Sequence, residues 1–294
     1  MPKGRIIKAL SGFYYVESDG HVVQCRARGN FRNRKISPLV GDWVDYVAEN
    51  DTDGYILGLD DRKNELVRPP IANVEQAVLV FSMNDPKFSP VLLDRFLVHV
   101  EANGIEPLIC FSKSDLCLKD IEDELKYFED VYQKIGYQII KTSIYHEETI
   151  EQLRPYIKGK VSVFAGQSGV GKSSLLNVLK PGVNIRTDIT SKRLGRGKHT
   201  TRHVELIPLN EGGYVADTPG FSSLDFDGIE KEELGDYFPE IQALSAQCKF
   251  RECQHINEPK CAVKASVEAG QTAKERYEHY ASFHDEIEQT KRRY

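Results

Sequence analysis

Gly166, Gln167, Ser168, Gly169, Val170, Gly171, Lys172, Ser173 and Ser174 form a run that reads G-x-x-x-x-G-K-S, directly behind the apolar stretch "VSVFA". In such a run the glycines let backbone N–H groups turn inward onto phosphates. The lysine reaches the terminal phosphates, and the hydroxyl after it ligates magnesium. Those two roles fall to Lys172 and Ser173, so the expected ligand is a nucleoside triphosphate with Mg2+. A strand before the run and a helix, "KSSLLNVLK", after it are the context the chemistry needs.

A loop that reads the base should follow downstream as K-x-D, yet none occurs between the P-loop and Tyr294. The pair lies upstream instead, as Lys113 and Asp115 in "FSKSD" at the end of an apolar stretch "EPLICFSK". An aspartate there accepts from both N1–H and N2–H2 of guanine. Adenine lacks that pair of donors, and an unpaired carboxylate is costly, so GTP and GDP are the expected nucleotides. Lys113 would lay its stem along the base plane and brace the neighbouring loop, and Ser143 in "KTS" stands where a second loop would touch the base. Downstream, "DTPG" supplies Asp217 to face magnesium and Gly220 to face the γ-phosphate. Between them, "GRGKHTTRHVEL" carries Thr201, with Thr200 as the alternative, to close on magnesium and the γ-phosphate. Position 221, where many GTP-hydrolysing proteins carry a water-orienting glutamine, is Phe221. A phenyl ring cannot hydrogen-bond water, so His199 as a neutral imidazole is the candidate for that task.

Near the C-terminus, Cys248, Cys253, His255 and Cys261 fall within fourteen residues and are separated mainly by polar side chains. Three thiolates and one imidazole leave no open coordination position, which points to a structural Zn2+. Tyr277, Tyr280 and His284 follow at helical spacing and are expected to pack on that lobe.

Three regions must position these groups. Residues 1–68 read as five short strands, "GRIIKAL", "GFYYVES", "HVVQCRAR", "DWVDYVAE" and "DGYILGLD", which suit a small barrel. An oligonucleotide-binding barrel is favoured, because "RARGNFRNRK" offers basic side chains and Phe31 as a stacking ring; an SH3-like barrel is the alternative. "RKNELVRPP" reads as a linker barred from pairing by Pro69 and Pro70. Residues 69–225 alternate strand and helix, which implies a parallel, doubly wound sheet with helices on both faces. One helix is read from Ser89 as N-cap to Gly104 as its stop, and another around "EETIEQLRPYI". Residues 226–294 are acidic, then cysteine-bearing, then helical. The net charge is −5, yet Arg186 to Arg202 holds six basic residues against Asp188 alone, so a polyanionic partner is expected. No secretion or membrane signal is read, and the cytoplasm is the expected location.

Ligands of an open parallel sheet gather at the C-terminal ends of its strands, so the same strands build the same crevice wherever the chain is opened. The order base reader, P-loop, threonine loop, D-T-P-G therefore resembles a circularly permuted P-loop GTPase. With a barrel in front and C-x4-C-x-H-x5-C behind, the chain is similar over its whole length to the ribosome small-subunit-dependent GTPase A (RsgA) family. The motifs "SKSD", "GQSGVGKSS", "GRGKHTTRHVEL", "DTPGF" and "CKFRECQHINEPKC" carry the likeness. The resemblance implies a GTP hydrolase, expected to be a monomer, that docks on the small ribosomal subunit during late assembly. Both flanking domains would touch ribosomal RNA. Ser112 departs from the asparagine that most GTPases carry there to tie the base loop to the P-loop. The residues alone leave a GTP-binding RNA scaffold without turnover as a rival, whereas Asp115 opposes an ATP-driven enzyme.

Overall fold

The computed structural model describes residues 1–28, 31, 37–50, 53–182, 204–217, 220–221 and 224–291, and of Asp120 only the backbone. Five strands open the chain: β1 (Lys3–Leu10), β2 (Phe13–Ser18), β3 (His21–Ala27), β4 (Trp43–Ala48) and β5 (Asp53–Leu59). Ser11 and Gly12, then Asp19 and Gly20, all have positive φ, which gives two-residue turns whose twist matches the paired strands. The strands close in the order β1-β2-β3-β5-β4. Only β3 and β5 pair in parallel, which a run of simple hairpins cannot produce; this is the Greek-key order of the oligonucleotide-binding barrel. Ile6, Val16, Cys25, Val44 and Ile56 fill its interior. Phe31 belongs to that core too, so it is not the displayed ring the sequence suggested. Burial of a phenyl ring outweighs the polarity of its neighbours in sequence. The half-buried rings of Phe13 and Tyr55 instead carry the guanidinium groups of Arg26 and Arg28, at 4.8 and 6.0 Å.

The proline-bearing connection is also more ordered than its composition implied. It forms a small hairpin of β6 (Glu65–Leu66) and β7 (Ile71–Ala72), with both prolines in the turn, where no ladder bond calls on their missing N–H. Gly41, at φ +95°, lets the barrel approach β7, because a Cβ there would lie 2.0 Å from the Ala72 carbonyl oxygen. Ala72 N donates to Val40 O across this junction at 2.9 Å.

The central sheet contains β8 (Gln76–Ser82), β9 (Glu106–Ser112), β10 (Gln138–Lys141), β11 (Val161–Ala165), β12 (Leu206–Pro208) and β13 (Tyr214–Ala216). Its order is β10-β9-β8-β11-β13-β12. Five strands are parallel, but β12 runs antiparallel to β13 and so corrects the expectation of a wholly parallel sheet. The reason is length, since residues 209–213 are too few to cross over the sheet. Side chains alternate between faces. Ala77, Leu79 and Phe81 pack with Phe96 and Phe128, whereas Val78 and Val80 pack with Leu153 and Leu175.

Helices α1 (Pro90–Ala102) and α2 (Lys119–Ile135) cover the first face; α3 (Glu147–Glu151), α4 (Arg154–Ile157) and α5 (Lys172–Leu179) cover the second. Ser89 Oγ accepts from Leu92 N to cap α1, and Pro90 occupies its first turn. The single helix expected over 147–157 is two, because Pro155 has no N–H with which to continue the ladder from α3. The C-terminal lobe carries α6 (Pro239–Ser245), α7 (Ala262–Glu268) and α8 (Lys274–Lys291), and α8 lies against α1. Among the described residues no helix is long and apolar enough to cross a membrane.

Candidate functional site

The C-terminal ends of β9, β10, β11 and β13 converge on one edge of the sheet and bring the separated motifs together. From β11 the chain enters the P-loop, where Gly166, Gly169 and Gly171 hold φ values of 137°, 87° and 98°. Gly166 admits no other residue, since a Cβ would meet Val80 O at 2.2 Å. Lys172 Nζ lies over the loop and donates to Gly166 O at 2.8 Å and Gln167 O at 2.6 Å. Lys172, Ser173 and Ser174 begin α5, so phosphates cradled by the loop would also face the positive end of that helix.

Ser112 ends β9 buried, and its hydroxyl lies 2.6 Å from Val170 O and 3.2 Å from Phe81 O. The shorter bond ties the base loop to the P-loop, the task asparagine performs elsewhere. Lys113 takes a left-handed backbone (φ 58°) that turns the loop outward, and its ammonium donates to Gly169 O at 2.8 Å and to Asp85 O. Ser114 N donates to Thr142 O at 3.1 Å and so joins the loop after β10 to the same frame. Between these segments lies a cavity of about 180 Å³, with Asp115 on its rim and Leu116, Ile144, Tyr145, Val170 and Leu175 among its walls. Apolar walls and one exposed carboxylate are what a flat base with adjacent N–H donors requires.

Ser143 does not line this cavity. It is buried, its hydroxyl accepts from Tyr145 N at 3.2 Å, and its amide donates to Thr149 Oγ1 at 2.9 Å. Those local bonds turn it inward, and the next two residues line the cavity instead. Ile144 and Tyr145, like Leu116 after Asp115, were missed because apolar residues in loops carry no chemical signal of their own; their place beside the polar motifs was the available hint.

Asp217 follows β13, with Oδ1 accepting from Glu205 N at 2.9 Å. Burial pushes its carboxyl upward, the Glu205 amide opposes this, the Glu205 carboxylate adds to it, and Lys8 opposes it. Gly220 N donates to Phe164 O at 3.0 Å, which holds the end of that loop against β11. Phe221 is buried with φ 56°, its ring 6.4 Å from His99, so it packs into the core. His199, Thr200 and Thr201, and with them Arg193, Arg196, Lys198 and Arg202, lie outside the described residues.

A family model described as RsgA GTPase matches residues 59–227, and one for the RsgA N-terminal domain matches residues 3–56. The chain belongs to the RsgA GTPase family. It is 58% identical over 295 residues to the small ribosomal subunit biogenesis GTPase RsgA of Halalkalibacterium halodurans, covering 100% of both chains. The RsgA of Bacillus subtilis is 56% identical over 299 residues, again with 100% of each covered. Among solved structures, the circularly permuted GTPase YloQ superposes with TM-score 0.87 at 52% identity, over 99% of this chain and 96% of that one. YjeQ from Thermotoga maritima gives 0.88 at 39% identity, over 97% and 98%. An RsgA-family chain is a GTP-hydrolysing enzyme, and the permuted order is that of its solved relatives.

The same RsgA-family chain brings Cys248, Cys253, His255 and Cys261 together, with all four ligand atoms within 4.8 Å of one another. Cys248 Sγ lies 4.0 Å from Cys261 Sγ, and His255 Nδ1 lies 3.5 and 3.3 Å from those two sulfurs. A zinc tetrahedron with ordinary bond lengths has edges of roughly 3.5–3.8 Å, so the donor set fits that ion. His255 Nε2 meets Ser245 Oγ at 3.2 Å, and that hydroxyl donates onward to Ile241 O. The serine therefore accepts from Nε2–H and leaves Nδ1 bare for metal, an orienting role the sequence did not disclose. Tyr277 and Tyr280 donate to His255 O and Gln254 O, both at 2.7 Å, and His284 reaches Gln254 Oε1 at 2.6 Å. These side chains buttress the metal loop from α8.

Proposed function

We propose that this chain hydrolyses GTP during late assembly of the small ribosomal subunit in the cytoplasm, and that the docked subunit raises its turnover. The observation that carries the reading is the bond from Ser112 to Val170 O, which joins a base loop and a P-loop 58 positions apart into one crevice. Asp115 reads the guanine edge, Lys113 braces the pocket, and the P-loop amides with Lys172 hold the phosphates. Ser173, Asp217 and Thr201 would hold Mg2+, which neutralises charge building on the β- and γ-oxygens. Ile144 and Tyr145 take the place of Ser143 against the base. Cys248, Cys253, His255 and Cys261 hold one structural zinc.

The RsgA names of the relatives support the small subunit as partner. Ribosomal RNA is a dense polyanion and would attract Arg193, Arg196, Lys198 and Arg202 in the segment between P-loop and β12. That attraction would set Thr201 and His199 over the phosphates, with His199 orienting water where Phe221 cannot. Arg26 and Arg28 give the barrel a similar polyanion-binding face. The test is GTP turnover with and without small subunits. His199→Ala is expected to keep GTP affinity and lose most of the stimulated rate, on the order of a hundredfold or ~2.7 kcal/mol. Lys172→Ala should impair binding and turnover together. A His199→Ala protein that turns over at the unmutated rate on subunits would remove the histidine from the reaction.

A further inference from the structure

Glu205 stands between the barrel and the nucleotide crevice. Its backbone forms an isolated antiparallel bridge with Lys8 of β1, and Lys8 Nζ donates to Glu205 Oε2 at 2.8 Å. On its other side, Glu205 N donates to Asp217 Oδ1 and Asp217 N donates back to Glu205 O, both at 2.9 Å. A lysine on the first strand of the chain is thereby two contacts away from a carboxylate of the hydrolytic site.

The edge of the sheet needs such help. β12 is three residues long and, among the described residues, its strand partner is β13 alone, and short edge strands left uncovered fray. The barrel covers this edge at further points. Tyr214 of β13 donates its hydroxyl to Glu17 Oε2 of β2 at 2.6 Å. The Arg5 guanidinium lies over the rings of Trp43 and Tyr214, at 4.7 and 5.6 Å.

We propose that Lys8 is a positioning residue for GTP hydrolysis: by holding Glu205, it keeps the Asp217 carboxylate aimed at the magnesium position. This rests on the assignment of Asp217 to magnesium. The role differs from a mere interdomain contact in what its loss would change. Binding of the nucleotide's base and α-phosphate should be untouched, and the demand for magnesium should rise.

The experiment measures GTP turnover against Mg2+ concentration, and GDP affinity in EDTA, for the full-length unmutated protein, Lys8→Met, Lys8→Arg and Asp217→Asn. Lys8→Met is expected to raise the half-saturating Mg2+ by about threefold, the size a half-exposed ion pair can transmit. Its GDP affinity in EDTA should stay unchanged, and Lys8→Arg should restore the unmutated Mg2+ response. Adding Glu205→Gln to Lys8→Met should produce no further loss. If Asp217→Asn shifts the Mg2+ response and Lys8→Met does not, the proposal fails while the site assignment stands. A Lys8→Arg protein as impaired as Lys8→Met would mark a simple packing contact and also overturn it. If Asp217→Asn leaves the Mg2+ response unchanged, the assignment of Asp217 falls, and this proposal with it.

Discussion

The barrel and the C-terminal lobe flank the same GTPase core, yet they are attached by different physics. At the barrel, apolar contact runs through Val40, Leu66 and Ile71 into the core beside the backbone bond from Ala72 to Val40, and the ion pair to the sheet edge lies where water can compete. The Lys8 and Glu205 side chains are 32% and 42% exposed. At the lobe, charge is buried. Asp94 of α1 is 0% exposed and Arg276 of α8 2%, and they meet at 2.5 Å. Arg276 also pairs with Glu240 at 2.7 Å and lies 4.6 Å from the Phe238 ring. Tyr132 donates to Asp94 Oδ1 at 2.6 Å, and His279 Nδ1 lies 2.5 Å from Oδ2. Directional bonds among buried charges are costly to misalign, so the lobe is held to α1 and α2 in one arrangement. The barrel rests on apolar contacts, a few backbone bonds and half-wet ion pairs, which tolerate small shifts better than a buried charge cluster does.

Three substitutions probe this contrast, in falling order of effect. Cys253→Ser should release the metal, and because zinc sites of this kind contribute ~10–16 kcal/mol of apparent binding energy, the 248–261 loop should lose its hydrogen-exchange protection. Nucleotide affinity should survive, since α8 stays anchored through Arg276. Protein purified without chelator but containing no zinc would end the assignment. Arg276→Met leaves Asp94 and Glu240 short of their cation and should cost ~3–5 kcal/mol in urea unfolding. Adding Asp94→Asn should recover part of that loss; an Arg276→Met protein as stable as the unmutated one would show that the buried cluster does not fix the lobe. Tyr214→Phe removes a hydrogen bond at the barrel junction and should cost only about 0.5–1.5 kcal/mol by the same measurement. A loss as large as that of Arg276→Met would erase the distinction between the two junctions.

Much of this was legible where chemistry is local. The P-loop glycines, Asp115, Asp217 and the Cys3His set announce themselves by residue type and spacing, and the barrel strands by alternation between Gly and Asp turns. What stayed hidden depends on how the folded chain places a residue, whether its partners are near in sequence or far. The antiparallel edge strand follows from the shortness of residues 209–213, a local signal that the strand–helix alternation elsewhere masked, and Phe31 turned inward to join the core despite its basic neighbours. Ser143 went to its own loop, and Ser245 became an orienting group only once His255 was folded against it. Lys8 and Glu205 lie 197 positions apart and have no shared motif.

The central claim is that the guanine base is read from upstream of the P-loop, by Asp115. Its most direct test is the affinity of Asp115→Asn for GTP and for xanthosine triphosphate, whose C2 oxygen would accept from the new amide. Replacing an acceptor with a donor opposite the guanine N–H groups should move the preference away from GTP by ~2–4 kcal/mol, roughly thirtyfold or more. An Asp115→Asn protein that kept the unmutated preference for GTP would contradict the account and place base recognition elsewhere in the chain.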